Sequence, residues 1–173
     1  VKSVTLKNLC MNTTINRIKT MFKAIFQFLS GIINDLNRDK IWDSKDGISK
    51  TKINGKYGFI NDNGESIVKP YFDMVYDFND DLALVELNGK YGFINKKGEV
   101  AIDLKFDFAY SFHRGYAIVK IKKKWGVINE SGNMILQPIF DDITGPDKHG
   151  EAFFATLKGK FGIVDKNSNF TQL

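Results

Sequence analysis

Residues 55–64 read "GKYGFINDNG" and residues 89–98 read "GKYGFINKKG", one ten-residue phrase given twice. Weaker copies follow at 123–132, "KKWGVINESG", and at 159–168, "GKFGIVDKNS". The glycine after each aromatic, Gly58, Gly92, Gly126 and Gly162, recurs at intervals of 34, 34 and 36 residues. A fixed period of that size marks a unit that stacks on its own copies. The phase extends backwards, since "DGISKTKI" from Asp46 stands in the place of "DDLALVEL" from Asp80 and "RGYAIVKI" from Arg114. The array is therefore expected from about Ile41 to Leu173, 41–173, as a single domain.

Each unit reads as three short antiparallel strands forming a meander. The first, "LALVEL" or "YAIVKI", alternates and is rich in β-branched residues. It runs into Asn54-Gly55 or Asn88-Gly89, the dipeptide that suits a two-residue hairpin with both central residues at positive φ. The second strand is the phrase itself, closed by a four-residue turn ending in Gly64, Gly98 or Gly132. The third is "ESIVK", "EVAID" or "NMILQ". The segments that follow, between Pro70 and Asp81, Leu104 and Gly115, and Pro138 and Gly150, are expected to be irregular loops. Within them Asp73, Asp107 and Asp141 each follow a phenylalanine and are read as caps of their own turns. A glycine inside a strand needs something to fill the place of its missing side chain. The expected occupant is an aromatic ring of a neighbouring repeat, so Tyr57, Gly58, Tyr91, Gly92, Trp125, Gly126, Phe161 and Gly162 are read as a buried structural spine.

Four phrases in register with the hairpin, the turn and the "FD" pairs at 72–73, 106–107 and 140–141 resemble the bacterial WG-repeat family over residues 41–173. That resemblance implies an antiparallel β-repeat array used as an interaction module, with no catalytic residues common to the family. The chain departs from the pattern in places. Trp125 is the one tryptophan among the four phrase rings, Ser168 replaces the turn glycine of the last copy, and Leu104 replaces the proline of the second.

Residues 1–40 differ in character. Apolar residues from Ile15 to Leu36 segregate onto one arc of a helical wheel, which predicts an amphipathic α-helix over about 13–37, with Thr13 or Thr14 as N-cap. Three roles suit it: packing on the array, self-association into a homo-oligomer, or contact with a membrane surface. Charge is concentrated here too. Seven Lys/Arg face two Asp in residues 1–40, which accounts for the whole formal charge of +5, while the remaining 18 basic and 18 acidic residues cancel. Net attraction to phosphate is absent from the array, so nucleic acid is not an expected partner. The apolar run 24–33 is too short to span a bilayer. A single cysteine, Cys10, excludes an intramolecular disulfide. None of these features fixes a localisation.

No phosphate-binding loop, HExxH, GxSxG or paired-cysteine motif is present, so no catalytic, cofactor or metal residues are assigned and the chain is not expected to be an enzyme. His113 and His149 lie in turn-like stretches and read as solvated. Lys122 and Lys123 stand where Asn-Gly stands elsewhere and read as a hairpin tip. The expected function is non-catalytic binding of a protein partner through the irregular segments, with Tyr76, Tyr110, His113 and Tyr116 as contact residues. The alternative is a structural, oligomerising or membrane-tethering element that uses the helix.

Overall fold

The computed structural model describes residues 40–42, 46–146 and 152–173, with Met21 and Ile25 as isolated positions. The chain divides into a unit Val1–Arg38 and a unit Asp39–Leu173. The helix expected over about 13–37 lies outside the described residues, apart from those two positions, and so does His149. Among the described residues no helix is long and apolar enough to cross a membrane.

The described residues of the second unit form four antiparallel sheets of four strands each, joined by turns and bends. Sheet 1 comprises β1 (Lys40–Ile41), β2 (Ile48–Ile53), β3 (Lys56–Asn61) and β4 (Ser66–Phe72), and sheet 2 comprises β5 (Met74–Asn79), β6 (Leu82–Leu87), β7 (Lys90–Asn95) and β8 (Val100–Phe106). Sheet 3 follows with β9 (Phe108–Ala109), β10 (Tyr116–Ile121), β11 (Lys124–Asn129) and β12 (Met134–Phe140). Sheet 4 holds β13 (Asp142–Pro146), β14 (Ala152–Leu157), β15 (Lys160–Asp165) and β16 (Phe170–Gln172). In every sheet the spatial order is the chain order.

The unit is thus four-stranded, not the expected three-stranded meander. The extra strand comes from the segments expected to be irregular. Phe72, Phe106 and Phe140 are buried last residues of one sheet; the next residue, an aspartate, is the bend, and the chain enters the following sheet at once. There it alternates over a few residues only: Met74, Tyr76, Tyr110, Asp142 and Thr144 point outward, while Val75, Ala109 and Ile143 are buried. Such a stretch is enough to pair along an edge and too short to announce a strand by its period.

Inner strands are apolar on both faces because sheets pack on both sides of them. Along β6, Ala83 and Val85 join Phe59 and Phe72 of sheet 1 in one buried cluster. Leu82 and Leu84 point the other way and join Phe93, Phe106, Phe112 and Val119 between sheets 2 and 3. A third cluster, with Val127, Phe140, Phe153 and Val164, joins sheets 3 and 4. One period-two strand therefore feeds two cores.

The phrase glycines are buried. At Gly162 the ring of Phe170, from the same sheet, stands 2.7 Å from the place of a Cβ, but at Gly58, Gly92 and Gly126 backbone and not a ring fills that place. A Cβ on Gly58 would stand 2.3 Å from the carbonyl oxygen of Val68, and one on Gly126 would stand 2.6 Å from that of Leu136. The neighbouring backbone comes this close because of a bulge. Tyr57 pairs with Phe72 and Phe59 with Val68, so three residues of β4, including Pro70, lie opposite the single Gly58. A bulge is where a strand tolerates a proline, which has no N–H to pair. The expectation of a buried spine is corrected with it. Tyr57, Tyr91 and Trp125 are half-buried and Phe161 is 53% exposed. The fully buried members of the phrase are Phe59, Phe93, Ile94, Val127, Ile128 and Val164.

The hairpin turns match their sequence. Asn54-Gly55 and Asn88-Gly89 have φ of 51° and 81°, and 52° and 71°. Lys122-Lys123 makes the same turn at φ 47° and 69° without glycine, and Ser168 takes the turn glycine's place at φ 68°.

The aspartate column is also reassigned. Each carboxylate ties one repeat to the next instead of capping its own turn. Asp73 accepts from the Lys56 ammonium of the preceding phrase through one oxygen and, at 2.7 Å, from the Asn88 backbone N–H of the following hairpin through the other. Asp107 does so with Lys90 and the Lys122 N–H, and Asp141 with Lys124 and the Gly159 N–H. The lysine first, and the backbone N–H second, hold all three carboxyls below their ordinary value of 3.8. The folded state therefore binds protons less readily than the unfolded chain. The contribution is complete above about pH 4 and is lost as pH falls through the depressed folded-state values. Thermal unfolding midpoints are expected to fall in acid below about pH 4, and more shallowly in an Asp73→Asn, Asp107→Asn, Asp141→Asn variant. Identical acid profiles for the two proteins would contradict the assignment.

Candidate functional site

Three strands of sheet 3 place side chains side by side at one end. Phe108 of β9 pairs with Lys120 of β10, and Lys120 pairs with Trp125 of β11. Direct partners in an antiparallel ladder share a face, so ring, ammonium and ring form one row. Tyr110, two residues beyond Phe108, returns to the same face. Its ring stacks on Trp125 at 5.7 Å and 20°, and Phe108 stands edge-on to both, at 5.2 and 5.9 Å. The Lys120 ammonium lies 4.8 Å from the centre of the Trp125 ring, a cation–π distance. These residues, with Asp107 and Lys123, line an open cleft of about 580 Å³. A second cleft, of about 420 Å³, shares Tyr110 and is lined also by Ile118 and by Asp142, Ile143, Thr144 and Gly145 of sheet 4.

The row continues toward sheets 2 and 1. Phe108 also touches Tyr91, at 5.0 Å. Burial first, and then hydrogen bonding to Glu86, push the Tyr91 phenol up to about 12, with the Tyr76 phenol close by. In sheet 1 Trp42 stacks on Tyr57 at 5.8 Å and 29°, and Lys52 lies 5.1 Å from the Tyr57 ring centre. Trp42, Tyr76 and Tyr110 are thus equivalent positions at the 34-residue spacing.

The four expected contact residues do not form one surface. Tyr76 and Tyr110 belong to the ring row, and Tyr110 is 52% exposed. His113 and Tyr116 form a backbone bridge at the other end of β10, about 13 Å from Lys120 at strand rise. His113 is exposed there, whereas the Tyr116 ring packs edge-on against buried Phe153. Sequence reading missed Trp42, Phe108, Lys52 and Lys120. The 34-residue step from Tyr76 back to Trp42 and the cross-strand step from each phrase ring to its lysine were the signals present. Among the described residues no cluster of three or more His, Cys, Asp or Glu has metal-binding geometry.

The unit defined by these rings recurs as a sequence family. The family described as WG containing repeat matches residues 57–91, 91–125 and 125–160, consecutive copies that run from one phrase ring to the next and cover more than half of the chain. The chain belongs to the WG-containing repeat family. Its WG repeats are therefore the 34-residue units just described, with tyrosine twice in the tryptophan's place. No curated protein matches the chain. Among solved structures it is similar to the extracellular domain of the putative one component system BT4673 from B. thetaiotaomicron, at 14% identity and a TM-score of 0.42. That match covers 77% of this chain and 23% of the other, so the WG-repeat chain spans under a quarter of that protein's length.

Proposed function

We propose that the array is a non-catalytic module that binds a protein partner through the ring row and the cleft beside Trp125. The observation that carries this reading is the half-exposed stack of Tyr110 on Trp125, with Phe108 and Lys120 around it, in a cleft open to solvent. Exposed aromatic clusters of this kind are costly to leave in water and supply the anchors of protein interfaces. The partner surface then includes the phrase rings themselves, together with the strand segments that the sequence alone suggested. The reading is tested by placing a photo-crosslinking residue at Tyr110 in the full chain, in the cells that make it. A discrete protein adduct is expected from Tyr110 and not from Glu130, which is exposed beyond the other end of β11. Equal labelling from both positions, or none from Tyr110, would overturn it.

A further inference from the structure

The ring row has a period as well as a chemistry. Sheets 1 to 3 each contribute one rung at the same end: Trp42 on Tyr57, Tyr76 beside Tyr91, and Tyr110 on Trp125. The sheets share their cores, so neighbouring rungs lie one sheet spacing apart, about 10 Å. A polyproline II helix turns once in three residues of about 3.1 Å each, or roughly 9 Å. Three rungs therefore face three successive turns of such a helix, with an accumulated mismatch of about 1 to 2 Å. An extended β-strand ligand has a two-residue period of about 7 Å and falls out of step by the second rung. Grooves lined by aromatic rings are also the recurrent receptors of this conformation, because prolines slot between ring faces at little cost in entropy.

Charge selects further. At the sheet 3 rung Lys120 and Lys123 have no ion-pair partner among the described residues, and Asp107 is already engaged by Lys90 and the Lys122 N–H. At the sheet 1 rung Lys52 plays the part of Lys120, while at the sheet 2 rung that place is held by Glu86. The end rungs are cationic and the middle one is anionic. Resting on the function proposed above, we infer that the occupant is a proline-rich peptide in polyproline II conformation, laid across sheets 1 to 3 with an acidic residue at the sheet 3 rung. A single-stranded nucleic acid also suits rings and lysines, but the array's 18 basic residues are balanced by 18 acidic ones, and Lys52, Lys120 and Lys123, interrupted by Glu86, make a short phosphate track.

The test uses the intact chain and the fluorescence of Trp42 and Trp125, both in the row. The probes are a peptide of about 9 residues, Pro-Pro-Glu-Pro-Pro-Lys-Pro-Pro-Glu, one triplet per rung with Lys facing Glu86; its Gly-Ser-Glu counterpart of equal charge, in which Gly-Ser replaces each Pro-Pro; and an oligothymidine. Saturable binding of the first, at least tenfold tighter than either control, is the expected result. Tyr110→Ala should weaken it about tenfold with an unchanged unfolding midpoint, and Lys120→Glu should shift preference to a Pro-Pro-Lys peptide. Equal affinity for the Gly-Ser-Glu peptide, tighter binding of the oligothymidine, or no binding of the proline peptide would overturn the inference. If the proline peptide fails while the Tyr110 crosslink persists, the function proposed above survives without this ligand. Failure of both removes the two together.

Discussion

Phe93→Ala is expected to lower the unfolding free energy by about 3 to 5 kcal/mol. Phe93 has no exposed surface and meets Phe112 edge-on at 4.7 Å, in the layer shared by sheets 2 and 3. Truncation removes its own burial and leaves a void between two sheets whose backbones are held apart by Leu84, Ile102 and Phe106. Little collapse can fill it, which places the cost toward the top of the range for buried rings. Trp125→Ala should cost less, about 1 to 3 kcal/mol, because that larger ring is only half-buried. Urea unfolding of both variants checks the ranking. A greater loss for Trp125→Ala would mean that the outer rings, not the layers between sheets, hold the stack.

Gly92→Ala is expected to cost about 2 to 3 kcal/mol, although it adds one methyl group. That methyl would stand 2.7 Å from the carbonyl oxygen of Ile102 and 2.8 Å from the Cα and N of Leu104. All three are backbone atoms, so no side chain can swing aside and the bulge of β8 must open. Gly89→Ala is the control. Gly89 has φ +71° and nothing within 4 Å of the added atom, so its cost is that of the left-handed backbone alone, about 1 to 2 kcal/mol. If Gly92→Ala is the milder of the two in urea unfolding, the bulge yields more easily than its contacts imply.

What was legible in the sequence is what repeats locally. The phrase, the Asn-Gly hairpins and the turn glycines each carry their geometry within a few residues, and their positive φ values follow. The fourth strand did not show because its alternation lasts for Asp73-Met74-Val75-Tyr76 and little more, and its pairing partner lies in the next unit. The aspartates were misread for a related reason. Local rules offer an aspartate its own turn, whereas Asp73, Asp107 and Asp141 reach a lysine seventeen residues back and a hairpin fifteen to eighteen residues on. In the candidate site, the sequence reading includes Tyr110 and assigns Trp125 to the interior. Strand alternation reports which face a ring occupies. How far the next sheet overlaps that face is set by the stacking of whole sheets, and no short window contains it. His113 was grouped with Tyr110 by nearness in sequence, and the antiparallel pairing of β9 with β10 carries it away from the cleft.

The aspartate junctions also say how an array of this kind can change in length. Asp73, Asp107 and Asp141 stand 34 residues apart, and each takes its lysine from the copy before and its N–H from the copy after. A duplicated stretch running from one such aspartate to the next arrives with a lysine ready for the junction ahead of it and a hairpin ready for the junction behind. No new contact has to be invented at either seam. Copy number is then a free variable of the architecture, and each added copy lengthens the edge that carries the rings by one sheet.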